Sequence, residues 1–114
     1  MSPTINELMT ETIKTAFVPE KAAGVDTVIQ FKFTGAQASE WYVIVKDQQC
    51  QSVQGVHPNP KMTMTVDSND YIKMSIGEMD PNMAFLKGKV KVTGDMGVAL
   101  NMGKYFKYGK PNKV

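Results

Sequence analysis

Apolar residues recur at helical spacing at the start of the chain, at Ile5, Leu8, Met9, Ile13, Ala16 and Phe17. This spacing predicts a helix with Thr4 as its N-cap and Pro19 as its end. The period then falls to two. Ile29, Phe31 and Phe33 alternate with Gln30 and Lys32, which predicts a strand over residues 27–33. Trp41, Val43 and Val45 predict a second strand over 41–46, after a turn at residues 34–37. Asp47, Gln48 and Gln49 form a further turn into a polar strand over 50–55. Beyond the Pro58-Asn59-Pro60 break, Met62, Met64 and Val66 alternate with Thr63 and Thr65 in a fourth strand. Asp67 or Ser68 caps a helix running to Ile76, with Gly77 as its stop. Pro81, suited to a first helical position, opens a short helix carrying Met83, Phe85 and Leu86. Val90 and Val92 alternate with Lys89 and Lys91 in a fifth strand over 88–93. Gly94-Asp95 turns into a last helix from Met96 to about Phe106, and Pro111 ends the ordered chain.

Five strands and about four helices, with short turns between the first three strands, predict an α+β fold. The expected architecture is a mainly antiparallel sheet covered on one face by helices. No repeat, linker or low-complexity stretch divides the 114 residues, so one domain over 1–114 is expected.

Composition removes several classes. The chain is 42% hydrophobic with a net charge of +2, which excludes a disordered segment, and no apolar run approaches the ~20 residues of a membrane span. One Cys excludes a disulfide scaffold and suits a reducing compartment. The first residues, Met-Ser-Pro-Thr-Ile-Asn-Glu, carry neither the basic flank nor the apolar stretch of a secretory signal, so a cytoplasmic location is expected. Charge is uneven: residues 1–83 hold six Lys against ten acids, a net of −4, and residues 84–114 hold seven Lys against Asp95, a net of +6. Lys supplies every fixed positive charge, since there is no Arg. The basic end is either a solvated face or a surface that approaches an anionic partner such as lipid headgroups.

Catalytic chemistry finds little support. Cys50 and His57 are the one combination resembling a nucleophile and base, and no third group orients them. They read better as a small buried hydrophobe and a loop residue. One Cys and one His fall short of a zinc site, and Asp67, Asp70, Glu78 and Asp80 lack the spacing of a calcium loop. The stretch Gly97 to Lys104 has the wrong spacing for a phosphate loop, and Tyr105 stands where Ser or Thr would bind magnesium. No metal, no cofactor and no enzymatic activity are expected. Lys104-Tyr105-Phe106-Lys107-Tyr108 interleaves basic and aromatic residues, but without Arg a nucleic-acid partner is not expected. Seven of the nine Met fall within residues 62–102. Met is flexible and polarizable, so this surplus is either core filler or an adaptable apolar surface.

From Phe31 onward the residues form a recognisable series: Phe-x-Phe, Trp41-Tyr-Val-Ile-Val, Met62-Thr-Met-Thr-Val-Asp-Ser-Asn-Asp-Tyr-Ile, and Gly77 through Met96. Its most specific part is Asp80 to Met96, where an Asp-Pro turn and an Ala-Phe helix precede Gly-Lys-Val-Lys-Val-Thr-Gly-Asp-Met. The sequence resembles the sterol carrier protein-2 (non-specific lipid-transfer) family over nearly its whole length. The resemblance implies an apolar tunnel between sheet and helices that binds fatty acids, fatty acyl-CoA, phospholipids or sterols without catalysis. It implies a lining drawn from the strand residues Phe31, Phe33, Trp41, Val43, Met64, Val66, Val90 and Val92. The covering helices would add Ile72, Ile76, Met83, Phe85, Met96, Leu100 and Phe106. Lys87, Lys89, Lys104 and Lys107 would receive an acyl-CoA phosphate or an anionic headgroup. The implied partners are the lipid itself and, transiently, an anionic membrane surface, with the protein a monomer or homodimer. The sequence departs from the family in a short first helix and in a C-terminus unlike the Ser-Lys-Leu peroxisomal address, which points to a cytoplasmic protein. The alternative is a structural or partner-binding module with the same fold and a vestigial tunnel.

Overall fold

The computed structural model describes residues 3–107. Tyr108 and Pro111, assigned above to the basic–aromatic tail and the end of the ordered chain, lie outside the described residues. Five strands form a sheet in the order β3-β2-β1-β4-β5, comprising β1 Thr27–Thr34, β2 Ser39–Lys46, β3 Gln49–Gln54, β4 Met62–Asp67 and β5 Val90–Gly94. The β1–β2, β2–β3 and β4–β5 pairs are antiparallel, and β1–β4 is parallel.

The two-residue period sets the faces. Ile29 lies opposite Val43 and Met62, Phe31 opposite Trp41 and Met64, and Phe33 opposite Val66. β5 adds Val92 beside Met64 and Val90 beside Val66. All of these share one face, and helices pack over it to form the core. Lys32, Tyr42, Ile44, Thr63 and Thr65 are on the other face and are exposed or half-buried.

The first helix consists of α1 Ile5–Glu7 and α2 Ile13–Ala16 joined by a π turn at Leu8–Thr12. Thr4 caps it through a reciprocal pair. Its hydroxyl accepts from the Glu7 N–H at 3.1 Å, and the Glu7 carboxylate accepts from the Thr4 N–H at 2.9 Å. The Thr10 hydroxyl donates to the Asn6 carbonyl at 2.7 Å, a back-bond that loosens helices. The wider turn keeps Leu8, Met9 and Ile13 buried together. This helix stops at Ala16, earlier than Pro19, because Phe17 is extended and pairs with Phe106 in an antiparallel bridge. The Val18 N–H donates to the Tyr105 carbonyl and the Lys107 N–H to the Ala16 carbonyl, both at 2.8 Å. The Phe17 and Phe106 rings lie 5.6 Å apart. This strap ties the end of the first helix to the end of the last, α5 Met96–Tyr105.

α3 Ser68–Ser75 and α4 Pro81–Leu86 are capped by Asp67 and Asp80, whose carboxylates accept from Asn69 and Asn82 N–H at 2.8 and 2.9 Å. Gly77 (φ +84) and Gly88 (φ +79) close these two helices by the same left-handed motif. In it the Glu78 N–H donates to the Lys73 carbonyl and the Lys89 N–H to the Ala84 carbonyl, both at 2.8 Å. Gly88 and Lys89 are thereby used to finish α4, so β5 begins at Val90 and not at Gly88.

Parallel pairing of β1 with β4 requires the chain to leave edge strand β3 and cross to the far side of β1. Gln30, buried on the outer face, holds that crossing. Its Nε2 donates to the carbonyls of Trp41 and Gly55, both at 3.0 Å, and its Oε1 accepts from the His57 N–H at 2.8 Å. The His57 ring stands edge-on to Tyr42 at 5.1 Å. A Gln30→Met variant keeps the volume and removes all three bonds, leaving two carbonyls and one N–H without this partner. Urea titration is expected to show a loss of roughly 3 kcal/mol in unfolding free energy.

Candidate functional site

The connections decide which helix covers which part of the inner face. β4 passes directly into α3, so α3 begins at the Val66 end of the β4–β5 pair. α4 leads into β5 through Gly88-Lys89 and lies at that same end. α5 follows Gly94-Asp95 and begins at the opposite end, beside Met62. The Met64–Val92 row is left between them. Of the inner-face residues on β4 and β5, Met62, Val66 and Val90 are buried, whereas Met64 and Val92 are only half-buried. These two form a half-covered strip of the inner face.

Gly94 (φ +97) stands at the end of β5 beside this strip. A Cβ at that position would stand 2.5 Å from the Lys61 carbonyl oxygen, so the turn can press against β4 only without a side chain. The Asp95 N–H donates to that same carbonyl at 2.8 Å. The Asp95 carboxylate accepts from the Gly97 and Val98 N–H groups at 2.8 and 3.3 Å and so starts α5.

The helices flanking the strip carry apolar side chains in contact with water. Met83 is 47% exposed, Phe85 46%, Met96 45%, Leu86 76% and Leu100 79%, with Ile76 at the margin of exposure. Exposed large apolar side chains in this number are a feature that a ligand or a partner surface can cover. The sequence-derived lining therefore divides in three. Phe31, Phe33, Trp41, Val43, Val66, Ile72, Val90 and Phe106 are buried in the core, Met64 and Val92 are half-buried, and Ile76, Met83, Phe85, Met96 and Leu100 are exposed. α5 turns Val98, Ala99, Met102 and Tyr105 toward the core, residues the sequence reading did not select. Their signal was the spacing of Val98, Met102 and Tyr105, a second stripe about half a turn from Met96 and Leu100. Lys87, Lys89, Lys104 and Lys107 are all exposed.

Two other depressions, of about 410 and 390 Å³, lie around the β2–β3 turn and are lined by residues such as Asp26, Lys46, Asp47 and Gln51. Neither is lined by any residue of α4, β5 or α5. Among the described residues no group of three or more His, Cys, Asp or Glu could hold a metal ion, and no helix is long and apolar enough to cross a membrane.

Cys50 and His57 are separated by the sheet. Cys50 pairs with Val45 on the inner face, while His57 is held on the outer face by Gln30. Burial pushes the Cys50 thiol up to about 11, with Lys14 pulling weakly in the opposite direction. A thiol of this kind stays protonated through neutral pH. Alkylation by iodoacetamide at pH 8 is expected to run about 100-fold slower than for a free thiol. The rate should climb toward pH 11 and match the free thiol once the chain is unfolded in urea.

Comparison with known proteins adds to this geometry. The model of the SCP-2 sterol transfer family matches residues 5–107. Hydroxysteroid dehydrogenase-like protein 2 of Danio rerio is 34% identical over 97 residues, which cover 84% of this chain and 23% of that one. The chain thus spans about a fifth of the length of such relatives. The crystal structure of sterol carrier protein 2 like 2 from Aedes aegypti superposes with a TM-score of 0.71 at 27% identity, covering 87% of this chain and 94% of that one. The solution structure of the palmitated Aedes aegypti protein superposes with a TM-score of 0.74 at 24% identity, covering 95% of this chain and all of the other.

Proposed function

The chain belongs to the SCP-2 sterol transfer family, and we propose that it binds single lipid molecules in a slot between α4 and α5 and transfers them without catalysis. The observation that carries this reading is the half-buried Met64–Val92 strip, flanked by helices with exposed apolar side chains. Fatty acids and fatty acyl-CoA are the ligands the geometry suits best. An acyl chain lies along Met64 and Val92 beneath the helices, and its polar end stays at the rim near Lys87, Lys89, Lys104 or Lys107. The palmitated state of the Aedes aegypti relative supports an acyl ligand.

Energetics favour this arrangement. Removing a 16-carbon chain from water contributes on the order of 12 kcal/mol at ~0.8 per methylene, before association and ordering costs. Micromolar or tighter binding then needs no directional contact. Methylenes carry no pattern to read, so selectivity is broad. A dry cavity of ~300 Å³ would cost about 7 kcal/mol, comparable to the stability of a small domain. The flexible side chains of Met64, Met83, Met96 and Met102 offset this cost by settling into the slot and retreating when a ligand enters.

Displacement of a fluorescent fatty acid, repeated with palmitate, palmitoyl-CoA and a sterol, tests the function directly. Saturable displacement by palmitate or palmitoyl-CoA is expected, and displacement by none of the three would sink the reading in favour of a partner-binding module. Val92→Trp places bulk on the slot floor and is expected to weaken palmitate binding at least tenfold. A further expectation concerns stability. Palmitate at about 100 times its dissociation constant should stabilise the fold by about 2.7 kcal/mol, a rise of several degrees in melting temperature for a domain of this size.

A further inference from the structure

We propose that strand β3 is a docking edge for a second copy of this chain, the two β3 strands pairing antiparallel about a two-fold axis at Ser52. β3 is one of the two edges of the sheet, with β2 as its single neighbour. The Gly55 N–H donates to the Glu40 carbonyl at 2.9 Å, and the β2–β3 register runs on from there without a bulge. Bonded pairs alternate along an antiparallel ladder, so Gln49, Gln51 and Val53 turn their N–H and C=O groups to β2. Cys50, Ser52 and Gln54 turn theirs to the open edge, where none has a hydrogen-bond partner among the described residues. Natural edges are kept apart by charge, Pro or a bulge, and Gln49–Gln54 contains none of these.

The other edge of the sheet is built differently. β5 carries Lys91 with Lys89 just ahead of it, and residues 84–107 hold five Lys against Asp95, so two copies repel each other there. β3 itself is uncharged. The turn and helix that contact it, Leu8–Thr12 and α2, expose Glu11 and Lys14, one charge of each sign. A second copy therefore meets this edge without net repulsion, and symmetry fits it there. Opposite residues of an antiparallel pair share a face. A two-fold axis perpendicular to the sheet at Ser52 thus sets Cys50 opposite Gln54 of the second copy, and Gln51 opposite Val53 of the second copy. This register uses every open N–H and C=O of Cys50, Ser52 and Gln54. Ser52 adds an independent observation. Its hydroxyl is buried with no hydrogen-bond partner among the described residues. The axis brings the same hydroxyl of the second copy across the strand pair, where Ser side chains hydrogen-bond each other.

Two six-residue strands make a small interface, so the dimer is weak, with a dissociation constant on the order of 0.1 mM. Translational diffusion measured by NMR between about 0.02 and 2 mM is expected to pass from monomer to dimer. Amide hydrogen exchange over the same range should show protection growing at Cys50, Ser52 and Gln54, and unchanged at Gln51 and Val53, which are already bonded to β2. Gln51→Lys with Val53→Lys sets like charges opposite each other twice and should weaken the dimer on the order of tenfold. Gln51→Lys with Val53→Glu sets opposite charges in the same places and should restore it. Circular dichroism verifies that both double variants are folded. If either is not, Gln54→Pro, which removes one edge N–H at an exposed residue, takes their place and should weaken the dimer. A monomer over the whole range, protection that does not change with concentration, or a dimer indifferent to the substitutions would overturn the proposal. So would loss of the dimer in both folded double variants, since Gln51 and Val53 would then not be opposite each other. All of these readings are made without lipid, so the outcome of fatty acid displacement leaves them untouched.

Discussion

The amide of Gln30 holds together two parts of the fold that no continuous hairpin could join. Strands β1 to β3 form a local meander, and β4 and β5 form a second antiparallel unit. The two meet only because the chain crosses the outer face and lays β4 parallel to β1. Along that crossing the backbone makes few sheet bonds, so Gln30 provides them from its side chain, donating to two carbonyls and accepting from the His57 N–H. Everything that shapes the half-covered strip follows from where β4 lands. Met64 reaches the inner face by its register with Phe31, and Val92 by its register with Met64. A buried amide with all of its strong bonds satisfied is costly to replace, and this one specifies a single strand order.

The strands were legible because each is buried on one side. Alternation of Ile29, Phe31 and Phe33, or of Met62, Met64 and Val66, records a sheet with one covered face. Caps and stops were legible for local reasons as well. Thr4, Asp67 and Gly77 act through bonds within a few residues of themselves. The parallel β1–β4 pairing was not legible, because register between distant strands is set by packing and by Gln30, a residue that looks like any other polar strand position. The early end of the first helix was also hidden. Phe17 continues the helical apolar spacing, but its backbone is claimed by Phe106, nearly the whole chain away.

The site was partly legible. Family resemblance singled out the inner-face residues, but periodicity cannot separate a core side chain from one that touches a ligand. Burial separates the fully covered strand residues from the half-covered ones, leaving Met64 and Val92 as the half-covered pair among those on the inner face of β4 and β5. On α5 the ambiguity is sharper, since apolar residues lie on nearly all sides of the helix. Met96 and Leu100 form one stripe, and Val98, Met102 and Tyr105 another. Only the packed structure shows which stripe faces inward. The surplus of Met falls partly outside the closed core. Several of these residues stand where the interior meets water, a position at which a rigid branched side chain would serve less well.

The strap at Phe17 and Phe106 has a mechanical consequence. α5 is anchored at its start by the Gly94-Asp95 turn against Lys61 and at its finish by backbone bonds to Ala16 and Val18. It is a beam about 15 Å long, supported at both ends. Such a beam does not swing like a hinged door. Any displacement of α5 with both supports held would be a bow at mid-span, around Val98 to Met102.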